Sequence, residues 1–220
     1  MHRFTLIGEI NMIRTEHKDQ NKWGFSFVEY APTEKKGKLP LIIQLHGAGE
    51  RGDGDENLAK VDVHGFSKFI QDKEIDCRFV MPQCPTDQFW AGRVESIVKF
   101  VEMLIDEYDA DRDRVYLTGL SMGGFGTWYT SMLRPDLFAA IAPVCGGGMP
   151  WNAAVLDMPI WAFHGSEDAV VDTFYSDDMV KALEKHQKDV TYTRLDGVGH
   201  NAWVYAYGQE LLDWLLSKKR

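Results

Sequence analysis

The sequence predicts an α/β protein built on a mostly parallel sheet with helices on both faces, and three observations carry that prediction. From residue 39 to the C-terminus, short apolar runs alternate with amphipathic stretches of helical period. Residues 39–45 and 78–81 are short, mostly apolar runs of the kind that strands buried on both faces show. A chain of 220 residues, 45% hydrophobic and 26% charged, is long enough to bury such a sheet. No Pro/Gly/Ser-rich linker and no repeat divides it, so one domain over 1–220 is expected.

The elements follow in order. Residues 1–37 are expected to lead in as one or two antiparallel edge strands, on the period-two pattern of 23–30. Residues 39–45 and 78–81 read as buried strands ending at Gly47 and Pro82. Apolar residues at 94, 97, 98, 101, 104, 105 and 108 predict a helix over 94–108. A strand over 114–118, a Gly-punctuated turn and a helix over 124–133 follow, the helix stopping before Pro135. Strands over 139–144 and 159–163, a helix over 173–186, a strand over 190–195 and a closing amphipathic helix over 203–216 complete the chain.

Charge narrows the partners. Lys+Arg 24 against Asp+Glu 33 leave a net charge of −9, a field that repels nucleic-acid backbones and anionic lipid surfaces. No stretch has the ~18 apolar residues of a membrane-spanning helix, and the N-terminal residues lack the uninterrupted apolar core of a signal peptide, so a cytoplasmic protein without membrane insertion is expected. Cys77, Cys84 and Cys145 lie in or beside apolar runs without metal-ligand spacing, and read as reduced, buried thiols. Neither a metal nor a cofactor is expected.

In open α/β sheets chemistry gathers at the carboxyl ends of the strands. Three such ends carry a matching set: Gly119-Leu-Ser121-Met-Gly123, His164-Gly-Ser-Glu-Asp168 and Gly197-Val-Gly-His200, with Ser, Asp and His in chain order. The first fits G-x-S-x-G between a strand and a helix, the elbow that lifts a serine hydroxyl above the sheet.

On these residues the chain resembles the α/β-hydrolases, and within them the small single-domain serine esterases of the dienelactone-hydrolase and carboxylesterase/phospholipase branch, over roughly residues 38–216. Leu45-His-Gly-Ala-Gly-Glu-Arg-Gly52 resembles that branch's oxyanion loop, and Gly-His200-Asn-Ala-Trp203 its histidine loop. Dienelactone hydrolases proper use a cysteine nucleophile where this chain has Ser121. The resemblance implies a three-layer α/β-hydrolase sandwich. The connection 145–158 is too short for a large cap domain.

It also implies ester hydrolysis through an acyl-enzyme, with Ser121 as nucleophile, His200 as base and Asp168 orienting the imidazole. The backbone N–H groups of Met122 and Ala48 would form the oxyanion hole. The expected partner is a small-molecule ester, short-chain or aryl or on a sugar, with acetyl and feruloyl groups included. A serine peptidase of the prolyl-oligopeptidase type, a thioesterase and a non-catalytic binding module are the alternatives.

Glu167 and Asp172 compete with Asp168, which the family pattern favours at four residues past His164. His46 and His164 both end strands beside a glycine and read as packed histidines bonding the backbone. Trp90, Trp151 and Trp203 are the candidate substrate-binding residues, each open to a reading as a packed aromatic. Gly47 to Gly52 also fits a dinucleotide fingerprint, but Asp53-Gly-Asp-Glu-Asn follows where an amphipathic helix is required. Asp53, Asp55 and Asn57 imitate a calcium loop, yet Leu58 and His64 stand where Gly and Glu are needed.

Overall fold

In the computed structural model, which describes residues 12–34 and 37–220, the chain runs β1 (Ile13–His17), α1 (Gln20–Trp23), β2 (Phe27–Ala31), β3 (Leu41–Leu45), α2 (Ser67–Ile70), β4 (Arg78–Pro82) and α3 (Val94–Glu107). It continues through β5 (Val115–Leu120), α4 (Met122–Leu133), β6 (Ala140–Val144), β7 (Ile160–Gly165), α5 (Phe174–Lys185), β8 (Val190–Leu195), α6 (Trp203–Ala206) and α7 (Gln209–Ser217). The strands form one sheet in the order β1-β2-β4-β3-β5-β6-β7-β8. β1 pairs antiparallel with β2 and β2 antiparallel with β4, whereas every pairing from β4 across to β8 is parallel.

Alternation along the strands builds a core on each face. Leu41, Ile43 and Leu45 of β3 and Val115 and Leu117 of β5 face one way, against Ile97, Val101 and Leu104 of α3, Trp128 of α4 and Leu183 of α5. Ile42, Phe79 and Tyr116 face the other way, against Phe66, Ile70 of α2 and Leu211, Leu212 and Leu215 of α7. Each such side chain, fully withdrawn from water, contributes about 1.5–3 kcal/mol. This is the three-layer α/β-hydrolase sandwich, and the 145–158 connection holds only the 3-10 turn Pro150–Val155. Among the described residues no helix is long and apolar enough to cross a membrane.

Two elements differ from the sequence expectation. The pattern over 23–30 does not run as one strand: Trp23 closes a helical turn capped by the Asp19 carboxylate, and Gly24 turns the chain at φ 80 before β2 begins. β1 precedes it as the edge, and its four exposed residues give no hydrophobic signal. Residues 1–11 and 35–36 of the expected leading segment lie outside the described residues.

The closing helix is broken. Tyr207 leaves helical geometry at ψ 96 and Gly208 is extended, which separates α6 from α7. Tyr207 is thereby driven under the sheet, where its hydroxyl meets Thr118 Oγ1 at 3.0 Å and its ring lies edge-on to Phe66. Burying that polar tip with a partner outweighs an uninterrupted helix ladder.

Candidate active site

The site begins where β5 gives way to α4. Ser121 sits between them at φ 54, ψ −117, a conformation that costs a non-glycine residue about 1–3 kcal/mol. The surroundings hold it there: its N–H donates to Val144 O at 2.9 Å and its carbonyl accepts from Phe125 N–H at 3.1 Å. The flanking glycines are sterically required. A Cβ on Gly119 would lie 2.3 Å from Gly123 O, and one on Gly123 would lie 2.0 Å from Leu45 O. The G-x-S-x-G spacing is thus a packing requirement between the elbow and the loop after β3.

The three strand-end residues meet. Ser121 Oγ lies 2.8 Å from His200 Nε2, and His200 Nδ1 lies 2.7 Å from Asp168 Oδ2. A carboxylate only accepts, so Nδ1 carries the proton and Nε2 is left to take the serine's. Asp168 Oδ1 accepts from the N–H groups of Val170 and Val171, both at 2.9 Å. The Asp168 side chain has no exposure, while that of His200 keeps 19%. Burial pushes the Asp168 carboxyl up, but the hydrogen bonds from His200 and from the Val171 and Val170 N–H groups outweigh it and hold it below the usual carboxylate range.

The competing acids are elsewhere. Glu167 is exposed, and Asp172 Oδ1 accepts from Phe174 N–H at 2.8 Å in the turn that leads into α5.

The loop after β3 lies against the elbow. A Cβ on Gly47 would stand 3.7 Å from Ser121 Cβ, and Ala48, exposed, opens the 3-10 turn Ala48–Glu50 beside it. Met122 is the first residue of α4, so its N–H has no acceptor inside the helix. Arg51 braces the turn: its Nε–H donates to Ala48 O at 2.9 Å and its guanidinium lies 4.7 Å above the exposed Phe89 ring. His46 anchors the loop from beneath, donating from Nδ1 to Gly47 O at 2.6 Å and accepting Cys84 N–H on Nε2 at 2.9 Å. Burial pushes its imidazole down to about 4, so it is neutral.

The three tryptophans part company. Trp90 corrects the expectation of a pocket wall: it is 0% exposed, its Nε1–H donates to His46 O at 3.0 Å, and no face of it is open to a ligand. Trp203 is half-buried, its ring edge-on to His200 at 5.2 Å and tilted against His64 at 5.3 Å. Trp151 is 82% exposed on the turn Pro150–Val155.

Sequence reading missed a row of rings that starts one helical turn past the serine. Phe125 meets Tyr175 at 5.4 Å, and Tyr175 meets Phe174 at 6.0 Å. The latter two are 47% and 60% exposed. The available signal was Phe125 itself, an aromatic residue in the first turn of the helix that follows Ser121.

Ligand-type atoms of Cys145, His164 and Asp168 converge within 4.8 Å. The Asp168 oxygens and both His164 ring nitrogens have protein partners, and burial pushes the Cys145 thiol up to about 12, so this cluster suits a hydrogen-bond network better than a metal ion.

Comparison with known proteins follows the geometry. The phospholipase/carboxylesterase family model matches residues 86–209. A bifunctional acetylxylan esterase/xylanase of Neocallimastix patriciarum is 30% identical over 205 residues, covering 88% of this chain and 29% of that protein. The chain spans 29%, 34% and 41% of the length of three curated relatives it matches. A thermostable esterase superposes with TM-score 0.77 at 32% identity, over 96% of this chain and 64% of that one. A feruloyl esterase module from Clostridium thermocellum, complexed with sinapinate, shares the fold at TM-score 0.73 and 15% identity, over 97% of this chain and 91% of its own. With more than half its length matched by the family model, and esterase structures as its neighbours, the chain belongs to the phospholipase/carboxylesterase family of α/β-hydrolases.

Proposed function

We propose that this protein is a serine carboxylic-ester hydrolase that works through an acyl-enzyme, with Ser121, His200 and Asp168 as its catalytic triad. The observation that carries the reading is the unbroken relay Ser121 Oγ to His200 Nε2 at 2.8 Å and His200 Nδ1 to Asp168 Oδ2 at 2.7 Å, with the serine on a strained elbow. His200 removes the hydroxyl proton as Oγ attacks the ester carbonyl, then returns it to the leaving alcohol. Water repeats the sequence on the acyl-enzyme and releases the acid. The N–H groups of Met122 and Ala48 receive the oxyanion, each donor contributing about 2.7–4 kcal/mol in the transition state.

Acetyl or feruloyl groups on sugars are the substrate class we favour. The exposed rings Phe174, Tyr175 and Trp151 suit an aryl acid or a sugar ring better than a long alkyl chain. Relatives named as acetylxylan esterases support the same class. The test is the initial rate on p-nitrophenyl acetate, butyrate and octanoate and on a feruloyl ester, wild type beside Ser121→Ala. Turnover that falls by at least about 10³-fold in the variant supports the reading. Turnover of peptide anilides or acyl thioesters in place of all four esters would replace it with the peptidase or thioesterase reading.

A further inference from the structure

Behind the proposed triad, a second histidine reaches its acid. His164, the last residue but one of β7, is wholly buried, and each of its ring nitrogens faces oxygen. Nε2 lies 2.9 Å from Val171 O and 3.3 Å from Asp168 Oδ2, two groups that only accept. Nε2 must therefore carry a proton. Nδ1 lies 2.7 Å from Ser176 Oγ, and that hydroxyl spends its one proton on Gly146 O at 2.8 Å. The other assignment, with the serine donating to Nδ1, leaves the lone pairs of Ser176 Oγ and the buried Gly146 carbonyl facing each other across 2.8 Å. Nδ1 is therefore a donor as well.

We infer that His164 is a positioning residue that holds a proton on both ring nitrogens and, as a buried cation, orients Asp168 and shares its negative charge with His200. The groups facing His164 from each neighbouring element fit this. Asp168 is its counterion, Ser176 of α5 is neutral, and Cys145 after β6 is a neutral thiol that bonds His200 O at 3.6 Å. His200 meets the same oxygen, Asp168 Oδ2, at 2.7 Å. A buried imidazolium is tolerated only when paired and hydrogen-bonded, and here every N–H has a partner.

The inference rests on the triad reading for its functional consequence. A cation at the same carboxylate oxygen draws on the negative charge that Asp168 offers His200, so removing it is expected to move the acid limb of kcat/KM.

The test has a spectroscopic arm and a kinetic arm. In protein labelled with ¹⁵N-histidine at pH 7.5, two protonated ring nitrogens are expected from one residue, assigned to His164 by their loss in His164→Gln. Ser176→Ala, which removes the acceptor for Nδ1–H, should leave one of the two. In the pH profile of kcat/KM, His164→Gln keeps a donor toward Asp168 but loses the charge, and Ser176→Ala loses the charge while keeping the imidazole. In both, the acid limb should move to higher pH by roughly half a unit to one unit. One bare ring nitrogen on His164 in the wild type, or acid limbs in both variants that coincide with the wild type, would overturn the inference. The spectrum needs no substrate, so a wild type that turned over no ester would remove the triad reading and leave the state of His164 decided.

Discussion

Two strands of this sheet end alike, β3 in His46-Gly47 and β7 in His164-Gly165, and their imidazoles are held in opposite ways. His46 has one donor partner and one acceptor partner, Cys84 N–H and Gly47 O, and so is a neutral ring that ties backbone to backbone. His164 meets acceptors on both sides, among them the proposed triad acid. Residue type, strand position and burial are shared. What differs is whether a neighbour brings a proton or a lone pair, and that divides a brace for the loop after β3 from a partner for the proposed acid. Damage on the His164 side should therefore appear in kinetics, and damage on the His46 side in stability.

The largest effect is expected from Asp168→Asn. The amide no longer fixes the proton on Nδ1 of His200, and kcat/KM should fall by about 10⁴-fold with near-ultraviolet circular dichroism unchanged. A loss of less than tenfold would move the acid away from Asp168, with Asp172→Asn as the next variant to assay.

Next comes a pH effect confined to the other turn. His46 is held near 4 in the folded protein against about 6.5 when unfolded, so folding is favoured most above 6.5 and that advantage is lost as pH falls toward 4. The difference is about 3 kcal/mol for a wholly buried ring. It should appear as a drop in the urea midpoint between pH 7.5 and 4.5. His46→Gln, whose amide oxygen can accept Cys84 N–H without titrating, should flatten that drop. An equal drop in the variant would show that other groups carry it.

These two turns also mark what a sequence can and cannot disclose. The elbow was legible because the steric demands at Gly119 and Gly123 are local and leave a spaced pattern between an apolar run and a helix. The positions of Asp168 and His200 were legible because a parallel sheet brings its strand ends to one edge. The protonation of His164 was not, since it depends on Ser176 and Gly146, which reach it from other elements. The burial of Trp90 escaped for the same reason. Trp90 and Trp151 both stand on short turns between elements, yet Trp90 sinks because Gly126 leaves room for it and His46 O accepts its N–H. Trp151 has no such recess and remains 82% exposed. The bounds of β1 within the expected edge segment were not legible, because its polar, exposed residues are set by pairing to β2 and by nothing apolar of their own.

The smallest effect is expected where the surroundings of the two turns meet. Trp203 touches His200 with one part of its ring and His64 with another, and His64 Nε2 in turn lies 3.8 Å from Glu50 Oε1 on the turn that carries Ala48. Trp203→Phe keeps an edge for His200 but is too short to hold His64 as well. An edge-to-face pair contributes about 0.5–1.5 kcal/mol, so kcat/KM should fall by no more than about tenfold. If the ring only steadies His200, the loss falls on kcat and is the same for p-nitrophenyl acetate and for a feruloyl ester. If it also faces the substrate, KM rises for the feruloyl ester alone. The split assigns Trp203 either to the histidine loop or to the pocket, because the two esters differ in the size of the acyl group they bring to it.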